Sequence, residues 1–228
     1  MGSGIRYNTV RAINSSRWVP AVAVRNPSGA SIGRLVPINS SSLDDQVIIE
    51  SITRWRRDSA ASFATQFNPT VERTRNWLKD VVLADEQRVL FVIYQADKPI
   101  GHVGFRDLNE TSFQGDNLVR GERGGGLLFM KFASWAFQAW AMQCFRVSRS
   151  WGRVLADNSA AIKFNLSLGN IIDVQSQAEG SAAPVGMTVP EAAENAMVHM
   201  TLTWENLIRV APEAVIRDFL EPISPPVL

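Results

Sequence analysis

The stretch DNLVRGERGGGLLFMKFASWAFQAWAMQCFRVSRSWGRVLADNSAAIKFNLSLG, residues 116–169, decides the fold. It reads as a strand, a glycine-rich turn, a long apolar helix, a second strand, and a helix opened by Asp157-Asn158 and closed by Gly169. Residues 127–143 are apolar nearly all round, with Lys131, Ser134 and Gln138 as a narrow polar stripe, so that helix is expected to be buried on most sides. A glycine-rich turn feeding a helix N-terminus offers backbone N–H groups and the positive end of the helix dipole, which together can hold a phosphate. Taken alone, such a turn fits a ligand site and a plain surface loop equally well.

Upstream of this stretch, residues 1–30 show no sustained period and read as an irregular extension. SIGRLVPI follows as a short strand ending at Pro37. Ser40-Ser41-Ser42 offers N-caps for a helix over about 43–57, with Val47, Ile48 and Ile52 on its inner side. Asn68-Pro69-Thr70-Val71-Glu72 announces a second helix, with Val71, Leu78 and Val82 as an inward stripe. VLFVIY (89–94) is a continuous β-rich run suited to a strand buried on both faces. IGHVGFRDL (100–108) pairs with it as a hairpin, and after the polar connection NETSFQG comes DNLVR, a third strand of the same meander. Downstream of 116–169, NIIDV and AMVHMTLTW read as strands on either side of a long Ala/Gly/Pro-containing loop over about 175–195. The element order is therefore β-α-α-β-β-β-α-β-α-β-β. It describes one α/β (α+β) domain over 31–207, with a C-terminal helix and tail over 208–228.

Composition narrows the function. Apolar residues at 46% and charged residues at 20% are ordinary for a soluble domain, and 23 basic against 22 acidic residues leave no basic excess of the kind nucleic acid calls for. One cysteine and two histidines make neither a disulfide nor a Cys/His metal set, so no metal is expected. Cys144 reads as a small buried hydrophobe at a helix end. No apolar run reaches the roughly 18 residues that span a bilayer, and the N-terminus lacks a signal-peptide core, so a cytoplasmic protein is expected.

RVLADNSAAIKFNLSLG is similar to the strand-to-helix segment V-x-x-x-N-x-x-A-I-x-x-Y-x-x-x-G of the GNAT N-acetyltransferase superfamily, with Val154, Asn158, Ala161, Ile162 and Gly169 on its pattern. ITRWRRD, NPTVERTRNWL and KPIGHVGF further resemble the branch that N-acetylates nucleotide-linked amino sugars. Ribosomal-protein acetyltransferases share much of that front half. The resemblance implies a mixed, mostly antiparallel sheet flanked by helices, and a wedge between the two strands of the opening stretch. The pantetheine arm of acetyl-CoA would enter that wedge along the backbone of Leu118, Val119 and Arg120. Its pyrophosphate would lie on the turn through Arg123, Gly124, Gly125, Gly126 and Leu127, with Asn158, Ala161, Phe164 and Asn165 on the opposite wall. Glycines let amides approach phosphates, and an Arg adds charge.

Two residues depart from the family pattern. Arg123 stands where the loop's middle glycine belongs, leaving Gly125 in place. Asn165 replaces the Tyr that can protonate the departing thiolate. An amide is no acid of useful pKa, although it can donate a hydrogen bond.

The implied reaction is direct attack of an amine on the thioester. It needs a neutral amine, an oxyanion donor such as the backbone N–H at Val119 or nearby, and a route for one proton. Asp116, Glu122 and His102 are the candidate bases. Trp55, Arg56 and Arg57 end the first helix at the expected acceptor side, where Arg can pair with pyrophosphate and Trp can stack on a base. The same residues also fit an amphipathic helix end. The partners so implied are acetyl-CoA and a small amine, a nucleotide sugar among them, with a homodimer left open. A GNAT-like module that binds CoA without turnover is the reading from another class.

Overall fold

In the computed structural model, which describes residues 2–20, 22–63, 68–123, 126–173 and 197–221, the meander read from the sequence forms the middle of a larger sheet. β1 (Val22–Arg25), β2 (Ser31–Pro37), β3 (Val89–Gln95), β4 (Lys98–Arg106), β5 (Ser112–Arg120), β6 (Arg149–Leu155), β7 (Ile171–Ile172) and β8 (Met197–Thr203) lie in the order β1-β2-β3-β4-β5-β6-β8-β7. All neighbouring pairs run antiparallel except β5 with β6. This is the mixed, mostly antiparallel sheet that the family resemblance implied.

The apolar run of β3 is covered on both faces, and that divides the core. Phe91 and Ile93 face α4 (Gly126–Phe145), whereas Leu90 and Val92 face α2 (Gln46–Asp58) and α3 (Val71–Trp77), which a π-type turn extends through Leu78–Val82. The α4 side is the aromatic one. Phe91, Phe105, Phe113, Phe137, Trp140 and Phe145 form a chain of ring contacts with centroids 4.8–6.3 Å apart. The near-uniform apolarity of α4 follows, because α1 (Gly2–Asn14), α6 (Trp204–Val210) and α7 (Glu213–Ile216) also lie on this side.

Several local expectations are revised. Residues 1–30 are not irregular. Thr9, Val10, Ala12 and Ile13 form one buried stripe of α1, and Arg6 Nε donates to Phe145 O at 2.6 Å, closing the C-terminal end of α4. The seed for α1 is tertiary burial, which the glycines and serines of the segment conceal. Asp45, not Ser40–Ser42, caps α2, accepting from Ile48 N. The serines instead form a 3-10 turn capped by Asn39. Val47 faces solvent at 65% exposure, so the inner side of α2 is Ile48, Ile49, Ile52 and Trp55. β5 begins four residues before DNLVR, because Phe113 and Gln114 of the supposed connection are buried in the sheet. Gly169, at φ +97°, ends α5 (Ser159–Ser167) as expected; a side chain there would be strained and would meet Val210. Cys144 is buried, and burial pushes its thiol up to about 12. The 175–195 loop lies outside the described residues, and among the described residues no helix is long and apolar enough to cross a membrane. No cluster of metal-ligating side chains occurs among the described residues.

Candidate active site

β5 and β6 are paired over only three residues each, from Ser112↔Arg149 to Gln114↔Trp151, and then separate. Parallel strands normally stay in register through evenly spaced bonds, so an early parting leaves backbone groups facing a gap. The first unpaired residues are glycines. A Cβ on Gly152 would stand 3.8 Å from Gly115 O, and one on Gly115 would stand 3.8 Å from Trp151 O, both ordinary contact distances, so the space at the apex is unfilled beside both glycines. The gap widens into a cavity of about 500 Å³.

The cavity walls bring together several of the residues named above for the acetyl donor. The strand wall holds Leu118, Val119 and Arg120, the helix wall holds Asn158, Ala161, Phe164 and Asn165, and Leu127 of the first turn of α4 stands at the mouth, 64% exposed. Asn158 accepts from Ala161 N at 3.1 Å and so fixes the start of α5 beside the gap. Gly126 opens α4 below the turn, while Arg123 is exposed and off the cavity wall. Gly124 and Gly125 lie outside the described residues. Asn165, on the helix wall, donates one of its two Nδ2 hydrogens to Ala161 O at 2.9 Å, a bond within its own helix.

At the apex the β4–β5 register slips. His102 pairs with Val119 and Gly104 with Asp116, so two residues of β5 stand against one of β4. Asn117 takes the left-handed conformation, φ 52°, and its carbonyl lies 2.6 Å from His102 Nδ1. A carbonyl only accepts, so Nδ1 carries the proton and His102 is the neutral Nδ1–H tautomer. Full burial pushes the imidazole down to about 4.

These contacts sort the candidate bases. Asp116 is half-buried on the cavity wall, with Asn117 Nδ2 donating to its carboxylate. His102 is wholly enclosed beneath α2, off the cavity, and in contact with the Trp55 ring. Glu122 is also off the cavity wall. Trp55 Nε1 donates to it at 2.9 Å and Arg54 pairs with it, which together hold its carboxyl below the usual range and make it a weaker proton acceptor. Only Asp116 of the three reaches the cavity.

The expected acceptor residues are revised in the same way. Trp55 is 0% exposed, its indole packed against Gly121, so it cannot stack on a ligand. Arg57 faces solvent. Arg56 lies flat over Trp77, 3.7 Å from the ring centroid, and also over Phe63. Burial lowers its guanidinium to about 10 against the attraction of Asp116, so it is still charged at neutral pH.

The open face of the cavity is built instead from Arg106, Gln114, Trp151 and Arg153, with Ser59 and Phe63 at its edge. Arg106 Nε donates to Gln114 Oε1 at 3.1 Å, and Arg153 Nε is buried without a protein partner. These residues were legible only through strand alternation. In RSWGRVL, Trp151 and Arg153 fall on one face, while Ser150 and Gly152 fall on the other, and which face was open depends on where α2 and α3 end.

Residues 34–170 match the family model of the acetyltransferase (GNAT) domain. No curated protein matches the sequence. Among solved structures, a RimL ribosomal L7/L12 alpha-N-protein acetyltransferase is 13% identical with a TM-score of 0.61, covering 83% of this chain and 97% of that one. The spermidine N-acetyltransferase of Vibrio cholerae, in complex with CoA and spermine, is 11% identical with a TM-score of 0.58, covering 78% and 98%. The Campylobacter jejuni N-acetyltransferase PseH, in complex with acetyl coenzyme A, is 17% identical with a TM-score of 0.50, covering 75% and 99%. At these identities the likeness is one of fold. With the family model spanning more than half of the chain and a parted β5–β6 pair at its centre, the protein belongs to the GNAT acetyltransferase family, whose acetyl donor is acetyl-CoA.

Proposed function

We propose that this acetyltransferase acts on the primary amine of a nucleotide-linked amino sugar, by direct attack of the amine on the thioester. Acetyl-CoA supplies the activated acetyl group. The wedge fits its pantetheine arm, because the unpaired backbone of Leu118–Arg120 can bond an extended chain laid beside it and the paired glycines leave room at the apex. In this reading Asp116, on the cavity wall, holds the incoming ammonium and accepts its proton, directly or through water. The Leu118 amide, next to the bulge, is the donor placed for the charge that develops on the thioester oxygen. With Asn165 no acid, the second proton that the amine nitrogen loses as the C–S bond breaks passes through water to the departing thiolate.

One observation supports the acceptor assignment: among the described residues, Trp151, Arg106 and Arg153 line the cavity together with a single carboxylate, Asp116. Trp can stack on a base, and guanidinium forks suit a pyrophosphate, whereas a polycation would call for several acids. The test is thiol release from acetyl-CoA across a panel of nucleotide amino sugars, N-terminal peptides of ribosomal proteins and polyamines. Turnover confined to the nucleotide sugars is the expected result. Turnover confined to peptides or polyamines would reject the acceptor, and CoA binding with no turnover on any amine would favour a binding module.

A further inference from the structure

Among the described residues the polar side chain most completely shielded from solvent, His102, lies behind the strand wall of the cavity. His102 lies on β4 beneath α2, paired with Val119 and so one residue from the bulge of β5, with its ring closed off from solvent and from the cavity. A histidine wholly inside an apolar layer of Ile49, Ile52, Trp55, Val92 and Val119 needs a reason to be polar. Its one hydrogen bond, Nδ1–H to Asn117 O, supplies that reason.

We propose that His102 is a positioning residue that sets the peptide plane of the β5 bulge, so that the Leu118 N–H points into the wedge as the donor to the thioester oxygen. The geometry is that of one peptide group. The bond between Asn117 and Leu118 is trans, so the Asn117 carbonyl and the Leu118 amide point in opposite directions. A carbonyl drawn toward β4 by the imidazole turns the amide toward β6, into the gap. The left-handed Asn117 at φ 52° is the strained hinge that permits this turn. Without a donor at Nδ1, nothing named on β4 opposes relaxation of that hinge, and the amide loses its aim. Burial keeps the imidazole neutral at physiological pH, so the single ring proton stays on the nitrogen that faces the carbonyl. His102 takes no proton from the amine; it acts wholly through the backbone.

This inference rests on the reading of the wedge as the acetyl-CoA site, and the experiment separates the two. The thioester carbonyl of [1-13C]acetyl-CoA bound to the protein is followed by NMR, with no acceptor present. Polarisation by an aimed amide moves the bound resonance downfield of acetyl-CoA free in solution. His102→Asn places an amide nitrogen at the same bond distance from the backbone as Nδ1 and is expected to keep the downfield shift. His102→Gln, polar and of similar size but with its nitrogen one bond farther out, is expected to lose it, as is His102→Leu. A shift retained in the Gln and Leu variants overturns the role of His102. Acetyl-CoA bound to the wild type without any shift overturns the amide assignment and the inference with it, while failure of the wild type to bind acetyl-CoA refutes the proposed function. Should the variants not fold, 15N-histidine spectra of the wild type decide. Nδ1 should be protonated and Nε2 bare at neutral pH, and the Nδ1 signal should move on adding acetyl-CoA but not CoA; a signal indifferent to both overturns the proposal.

Discussion

Acidification to about pH 4 should remove about 3 kcal/mol of folding stability through His102 alone. In the folded protein its imidazole is pushed from 6.5 down to about 4, chiefly by burial and secondarily by the charge on Arg56, against the hydrogen bond to Asn117. Above pH 6.5 the ring is neutral in both states and makes no difference. Below 6.5 the unfolded chain takes up a proton that the folded chain refuses until about pH 4, so stability falls as pH falls. The slope is about 1.4 kcal/mol per pH unit across that window, which sums to the figure above. Urea unfolding at closely spaced pH values, compared between the wild type and His102→Asn, isolates the effect. His199, also lowered by burial and Arg153, and the depressed carboxyls of Glu86 and Glu122 act in both proteins and cancel. The variant should be less stable near neutrality and lose much less between pH 7 and pH 4. Parallel curves for the two proteins would refute the burial argument.

Three further outcomes are expected. Asp116→Asn should lower kcat by roughly 10²–10⁴-fold while leaving CoA affinity within about twofold, as measured by thiol release and calorimetry; unchanged turnover would remove Asp116 as the base. Asn165→Ala should alter turnover by no more than about twofold, because its amide is no acid and bonds within α5; a large loss would restore it to the departing sulfur. Gly152→Val should leave the melting temperature unchanged or slightly raised, since its Cβ meets only Gly115 O at 3.8 Å. The same change should weaken acetyl-CoA binding by about 10–100-fold, on the order of 1–3 kcal/mol of overpacking at the apex, and full affinity would place the acyl group elsewhere.

The elements whose pattern is local were legible in the sequence. The run at 89–94, the cap at Asn158 and the stop at Gly169 each declare their state in a few residues, and together they specify the order that identifies the family. The residues that line the wedge on β5 and α5 came with the family resemblance, because they sit on elements whose order the sequence declares. What escaped depends on distant packing. The buried stripe of α1 has no period strong enough to outweigh its glycines and finds its partners far along the chain. Trp55 and Arg56 were expected to face a ligand because the resemblance puts the end of the first helix beside the acceptor. Here Trp55 fills the space that Gly121 leaves, and Arg56 is trapped on Trp77. The bulge at Asn117 has no sequence mark at all. It follows from Gly104 pairing with Asp116 while His102 pairs with Val119, a register no single strand specifies.

A crystal structure of the protein with acetyl-CoA tests the central claim most directly. The account predicts the pantetheine arm between β5 and β6, the thioester oxygen toward the Leu118 amide, and the acetyl group at the Gly115–Gly152 apex within reach of Asp116. A cofactor bound outside the β5–β6 gap, or an acetyl group pointing away from Asp116, would contradict it.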